Sequence, residues 1–153
     1  MKSMQSQQKT IVIASDHAGF SFKNALVQGL PDWTWDDLGP FNSESVDYPD
    51  YAEAAGKKIA SGEAMRAILI CGSGIGMCIA ANKIHGIRAA LVENPVSARL
   101  SREHNNANVL CLGARLIAPE YGIEIASTWL TTPFSAQPKH IQRLAKLHKL
   151  EKT

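Results

Sequence analysis

The apolar residues of this chain come in short continuous runs, and each run leads into a segment with helical spacing. Residues 11–14 (Ile-Val-Ile-Ala) form the first run, residues 67–70 (Ala-Ile-Leu-Ile) the clearest one, and residues 87–92 and 108–112 two more. Residues 34–38 (Thr-Trp-Asp-Asp-Leu) read as a weaker strand that stops at Gly39-Pro40. Strands that are apolar at every position are buried on both faces, so this pattern predicts a parallel sheet covered by helices on each side. The intervening helices are predicted from several signals. Phe22, Ala25, Leu26 and Leu30 recur at helical spacing, and Pro49, Pro95, Pro119 and Pro138 stand at helix starts. Five βα units in succession, with right-handed crossovers, make a doubly wound α/β domain the expected architecture.

With 153 residues, the chain is expected to form one domain over residues 10–150. Residues 1–9 are polar and rich in Gln and Ser, and are expected to be a disordered lead-in without a secretory apolar core. A net charge of +2 is too small to argue for nucleic acid, and no apolar run approaches the roughly 20 residues of a membrane span. The three cysteines form no CxxC pair. This favours a reducing, cytoplasmic setting over a disulfide framework or a zinc site. Neither metal nor cofactor is expected.

In open parallel sheets ligands bind beyond the carboxyl ends of the strands, so the residues just after each run matter most. After the first run stand Asp16 and His17, which suit acid/base work or a sugar hydroxyl; Ser15 or Asp16 could equally be only a helix cap. After the third comes Cys71-Gly72-Ser73-Gly74-Ile75-Gly76. Alternating glycines let the backbone approach a ligand and turn N–H groups toward it at the positive end of a helix. That suits a phosphate or an enediolate oxygen. The spacing is not the dinucleotide G-x-G-x-x-G, and the Gly-Lys-Ser/Thr ending of a P-loop is missing. Cys71 lies beside a helix N-terminus that favours its thiolate, so it is read as a base; Cys78 and Cys111 are read as small buried residues. His104 and Asn105 end a predicted helix, Arg115 follows the last strand, and Lys139, Arg143 and Lys146 share one face of the final helix. Most such basic faces are merely solvated.

Taken in order, these segments resemble the ribose-5-phosphate isomerase B / galactose-6-phosphate isomerase family. The similarity extends from Ile11 to Arg143 and rests on Asp16-His17-Ala18-Gly19, Asp47-Tyr48-Pro49, the loop from Cys71 to Gly76 with Ala80-Ala81-Asn82-Lys83, Gly86-Ile87-Arg88-Ala89, and Ser101-Arg102-Glu103-His104-Asn105. The resemblance implies a Rossmann-like three-layer α/β/α fold, a homodimer or tetramer with sites at the subunit interface, no metal, and interconversion of aldose and ketose phosphates through an enediolate. It implies Cys71 as the base and His104 as the acid/base that opens the sugar ring, with Asp16 assisting. Ser73 and the N–H groups of Gly72, Gly74, Ile75 and Gly76 would hold the enediolate, and Asn105 a hydroxyl. His17, Arg115, Lys139 and Arg143 would bind the substrate, chiefly its phosphate. Another branch of the family places a Glu after the last loop glycine, where this chain has Met77; Lys139 stands where Arg is expected. Ribose 5-phosphate is the first substrate expected, with galactose 6-phosphate, allose 6-phosphate or a tetrose phosphate as alternatives. A non-catalytic sugar-phosphate or nucleotide binder on the same fold is the competing reading.

Overall fold

The computed structural model describes residues 10–151; the expected lead-in over residues 1–9 lies outside them. Five strands alternate with six helices: β1 (Thr10–Ser15), α1 (Phe20–Gly29), β2 (Thr34–Asp37), α2 (Tyr48–Ala60), β3 (Ala67–Cys71), α3 (Ile75–Asn82), β4 (Ala89–Leu91), α4 (Pro95–Glu103), β5 (Val109–Gly113), α5 (Pro119–Thr131) and α6 (Pro138–Leu150). All strand pairs are parallel, in the order β2-β1-β3-β5-β4. This is the three-layer α/β architecture expected from the apolar runs.

The strand order decides where each helix sits. A right-handed crossover moving one way along the sheet lies on one face, and one moving back lies on the other. β1 to β2 and β4 to β5 run one way, so α1 and α4 share a face; β2 to β3 and β3 to β4 run the other way, so α2 and α3 share the opposite one. The cores follow this division. Ile11, Ile13, Ile68, Ile70, Leu110 and Leu112 pack with Phe22, Leu26, Ala98, Ile125 and Trp129. The alternate positions Val12, Ala14, Leu69, Cys71, Val109 and Cys111 pack with Ala52, Ala55, Met77 and Ala81. Period-two alternation on strands apolar at every position thus builds two cores from one sheet.

Two elements depart from expectation. The fourth strand is confined to Ala89–Leu91 because the Arg88 N–H is taken by the side chain of Asn108, at 2.8 Å, in place of a ladder partner. On α1 the buried stripe is Phe22, Lys23 and Leu26, whereas Ala25 is only partly buried. Lys23 is fully buried, and its ammonium donates to both carboxylate oxygens of Asp37 at 2.7 and 2.8 Å and to the Pro40 carbonyl at 2.9 Å. A buried charge needs such complete pairing. Here it ties α1 to the end of β2 at the carboxyl edge of the sheet.

Candidate active site

β3 lies between β1 and β5, and its connection leaves toward the face opposite to theirs. Adjacent strands whose connections part in this way open a crevice at their carboxyl ends. Cys71 stands in that crevice. Its backbone pairs in register with Gly113, and the neighbouring pair of Ser15 with Ile70 brings up the end of β1. The Asp16 N–H donates to Ile70 O at 3.0 Å, and the Ala114 and Arg115 N–H groups donate to Cys71 O and Gly72 O, both at 2.9 Å. Asp16, Cys71 and Arg115 are therefore held by the hydrogen bonds of one sheet edge.

The Cys71 thiol is buried, and its Sγ accepts the N–H of Gly74 at 3.1 Å. Gly74 has φ +77°, and a Cβ there would meet Leu91 and the backbone of Leu112 at 2.7 and 2.8 Å, so the loop depends on glycine at this position. Gly74 is also the N-cap of α3, whose first-turn N–H groups open toward the same crevice as a partial positive charge. The arrangement sets N–H donors beside the sulfur and beside the place an oxygen next to it would occupy. Arg115 lies over the loop: a Cβ on Gly72 would stand 3.1 Å from its Nη1. The Ser73 hydroxyl accepts the Ile75 N–H at 3.3 Å. Met77 is fully buried in the second core, so the position after the last loop glycine faces the interior.

Asp16 is buried, and its Oδ1 accepts the Gly19 N–H at 3.0 Å in the turn before α1, whose N-cap is Gly19 rather than Ser15 or Asp16. That bond occupies one carboxylate oxygen. His17 is half-buried, and its Nδ1 lies 3.2 Å from the Val46 nitrogen and 3.3 Å from the Val46 carbonyl oxygen.

The other expected residues do not join this group within one chain. α4 carries the chain from the carboxyl end of β4 back to the start of β5, and α5 returns it again before α6 begins. His104, Asn105, Lys139 and Arg143 therefore stand at the amino edge of the sheet, about 16 Å from the carboxyl edge across a five-residue strand. His104 caps α4, is exposed, and stacks on His140 with ring centroids 4.4 Å apart and planes within 9°. His140 is buried, and burial first, then the charges of His104, Lys139 and Arg143, push its pKa below the ordinary imidazole value. The sequence names His140 beside Lys139 on the final helix but gives it no role; its place on the inner face of an amphipathic helix was the available signal.

Cys78 is half-buried rather than enclosed as expected, because α3 presents it toward β4. A hydrogen bond with the Cys111 thiol pulls Cys78 down to about 7 and pushes fully buried Cys111 up. Among the described residues no group of three or more His, Cys, Asp or Glu could hold a metal ion, and no helix is long and apolar enough to cross a membrane.

Comparison with known proteins gives this geometry a family. Residues 11–147 match the model of the ribose/galactose isomerase family. Ribose-5-phosphate isomerase B of Escherichia coli is 40% identical over 145 residues, covering 94% of this chain and 97% of that protein. A D-erythrulose-4-phosphate isomerase of Pectobacterium atrosepticum is 42% identical over 132 residues, covering 82% and 84%. The structure of the Trypanosoma brucei type B ribose 5-phosphate isomerase superposes with a TM-score of 0.90 at 44% identity, covering 93% of this chain and 98% of that one. These relatives make the chain an aldose–ketose isomerase acting on a sugar phosphate. The chain belongs to the ribose/galactose isomerase family.

Proposed function

We propose that this protein interconverts D-ribose 5-phosphate and D-ribulose 5-phosphate in the non-oxidative branch of the pentose phosphate pathway, in the cytoplasm. The observation that carries the assignment of the base is the 3.1 Å hydrogen bond from Gly74 N–H to Cys71 Sγ at the head of α3. The Cys71 thiolate removes the proton from C2 of the open-chain aldose as O1 takes on negative charge. The N–H groups of Gly72 to Gly76 and the Ser73 hydroxyl hold that enediolate oxygen. Return of the proton to C1, with the hydroxyl proton passing from O2 to O1, yields the ketose. His104 protonates the ring oxygen during opening, assisted by Asp16, and Asn105 holds a hydroxyl. His17, Arg115, Lys139 and Arg143 bind the substrate, chiefly at its phosphate.

This set works only if two copies combine. Asp16, His17, Cys71 and Arg115 stand on one edge of the sheet, and His104, Asn105, Lys139 and Arg143 on the other. The carboxyl edge also exposes Ile75, Ile79, Leu91, Val96 and Leu116, an apolar rim that a second copy would cover. We therefore assign a homodimer with two shared sites, each taking its ring-opening and terminal-helix residues from the second copy.

The relative named for D-erythrulose 4-phosphate favours a second reading, a shorter sugar phosphate in the same site. Lys139 keeps a charge but not the two-pronged geometry of arginine, so it leaves phosphate position less constrained. NMR assays with ribose, erythrulose, allose and galactose phosphates separate the readings. Turnover of the pentose is expected to exceed that of the others, and its absence would reject the primary assignment. Loss of turnover with retained binding in Cys71→Ala would exclude a mere sugar-phosphate binder.

A further inference from the structure

Two thiols that the proposed reaction does not use stand on α3 and β5. Cys78 Sγ lies over β4, 3.6 Å from the Ala89 carbonyl oxygen and 3.6 Å from Asn82 Nδ2. Asn82 is itself fixed on that strand: its Nδ2 donates to Ala89 O at 3.0 Å and its Oδ1 accepts the Ala89 N–H at 2.9 Å. Ala89 is in register with Val109 and Leu91 with Cys111, so the strand under Cys78 is paired with the one that carries Cys111. Cys111 turns to the α3 face of the sheet and packs with Met77 and Ala81, and Cys78 packs against the same core. There the two side chains meet in a thiol–thiol hydrogen bond.

The two members of the pair are unlike. Cys78 is half-buried, and the Leu91 N–H and the Asn82 amide add donors to its sulfur. Cys111 is fully buried and donates its own proton toward Cys78. Negative charge therefore settles on the more accessible sulfur, and the proton stays on the enclosed one. That division suits a first sulfur that meets an oxidant and a second that displaces the product. α3 turns Cys78 toward β4 and not outward with Ile75 and Ile79, and a molecule as small as hydrogen peroxide needs no open surface to reach it.

We propose that Cys78 and Cys111 are an oxidisable pair that hydrogen peroxide closes into a disulfide within one chain. The Cys78 thiolate attacks a peroxide oxygen, the O–O bond breaks, and a sulfenic acid forms as hydroxide leaves. The Cys111 sulfur then attacks the Cys78 sulfur, the S–O bond breaks, and the Cys111 proton departs with that oxygen as water. The bond fastens α3, whose head carries the loop glycines, to β5. It does not involve Cys71 and is independent of the isomerase assignment.

The full chain carrying Cys71→Ser retains only these two thiols. After mild peroxide treatment, thiol titration in denaturant is expected to find both lost, with the intact mass lower by two hydrogens and the chain monomeric on a non-reducing gel. Dithiothreitol is expected to restore both. With Cys111→Ala added, Cys78 is expected to stop at the sulfenic acid and to take up dimedone. Thiols that persist, oxygen gained without a bridge, a bridge between two chains, or no dimedone on Cys78 would overturn the proposal. If Cys71→Ser does not fold, peptide mapping of the peroxide-treated unaltered chain decides the matter. A peptide linking Cys78 to Cys111 supports the pair, and its absence, or a bridge to Cys71 in its place, rejects it.

Discussion

The two edges of the sheet carry the two halves of the candidate site, and they are built differently. At the carboxyl edge the functional groups follow strands whose backbones bond to each other: Cys71 is in register with Gly113, and Arg115 N–H is tied to Gly72 O. At the amino edge His104 and Asn105 are exposed at the end of α4, and Lys139 and Arg143 are exposed on the first half of α6. Their one firm support is the stack of His104 on buried His140. The first half is preorganised by the strands of its own chain, whereas the second lies exposed. Reaction chemistry belongs where atoms are held most closely, and substrate capture and ring opening tolerate groups that arrive with a partner.

The sharpest way to break this contrast is to remove the thiol. Cys71→Ala is expected to lower kcat by about 10²–10⁴-fold, the usual weight of a general base, with substrate affinity retained in calorimetry. A loss confined to KM would move the chemistry away from the strand edge. Next in size is the support of that edge. Asp37→Ala strands the buried ammonium of Lys23 and is expected to cost about 3–5 kcal/mol in denaturant unfolding. A loss below about 1 kcal/mol would mean that the pair contributes little to preorganisation.

Mixing the halves tests their separation directly. If each site draws on both copies, equal amounts of Cys71→Ala and His104→Ala chains, unfolded and refolded together, form hybrid dimers with one intact site. Activity near a quarter of wild type is expected, since about half the dimers are hybrids and each keeps one of its two sites. No recovery would place all the residues within a single chain.

The smallest expected effect concerns the His104–His140 stack. Burial lowers the folded pKa of His140 from 6.5, so the fold favours the neutral ring. Its contribution to stability is complete above pH 6.5 and is lost as pH falls below that toward the lowered folded value. Between pH 7.5 and 5, wild type is expected to lose more stability than His140→Asn. Parallel pH curves for the two proteins would remove the stack as a pH-sensitive support.

Much of the carboxyl-edge half could be read from the residues alone, because its signals are local. A continuous apolar strand, a thiol and alternating glycines before a helix occupy ten consecutive positions, 67–76, and their geometry follows from backbone rules. The opposite half is not local in this sense. That His104 meets His140 depends on the path of α4, α5 and α6 around the sheet, and spacing along the chain carries no trace of it. Lys23 was hidden for a related reason. A lysine inside an apolar stripe is ordinarily a solvated neighbour, and only the return of β2 beside α1 supplies the carboxylate that lets it be buried. The shortened β4 depended on one amide side chain, Asn108, twenty residues further on.

Because β5 enters the sheet between β3 and β4, the order in which the strands leave the ribosome differs from the order in which they lie side by side. A growing chain that has emerged as far as α4 can complete only the ladder β2-β1-β3, with the free edge of β3 exposed beside the Cys71–Gly76 loop. β4, which among the described residues pairs with β5 alone, has nothing to pair with until residue 113 has appeared. A late insertion of this kind makes β5 a keystone rather than an appendage. Chains terminated before β5 would lack the partner strand of the loop that holds the thiol and would present an open β edge to their neighbours.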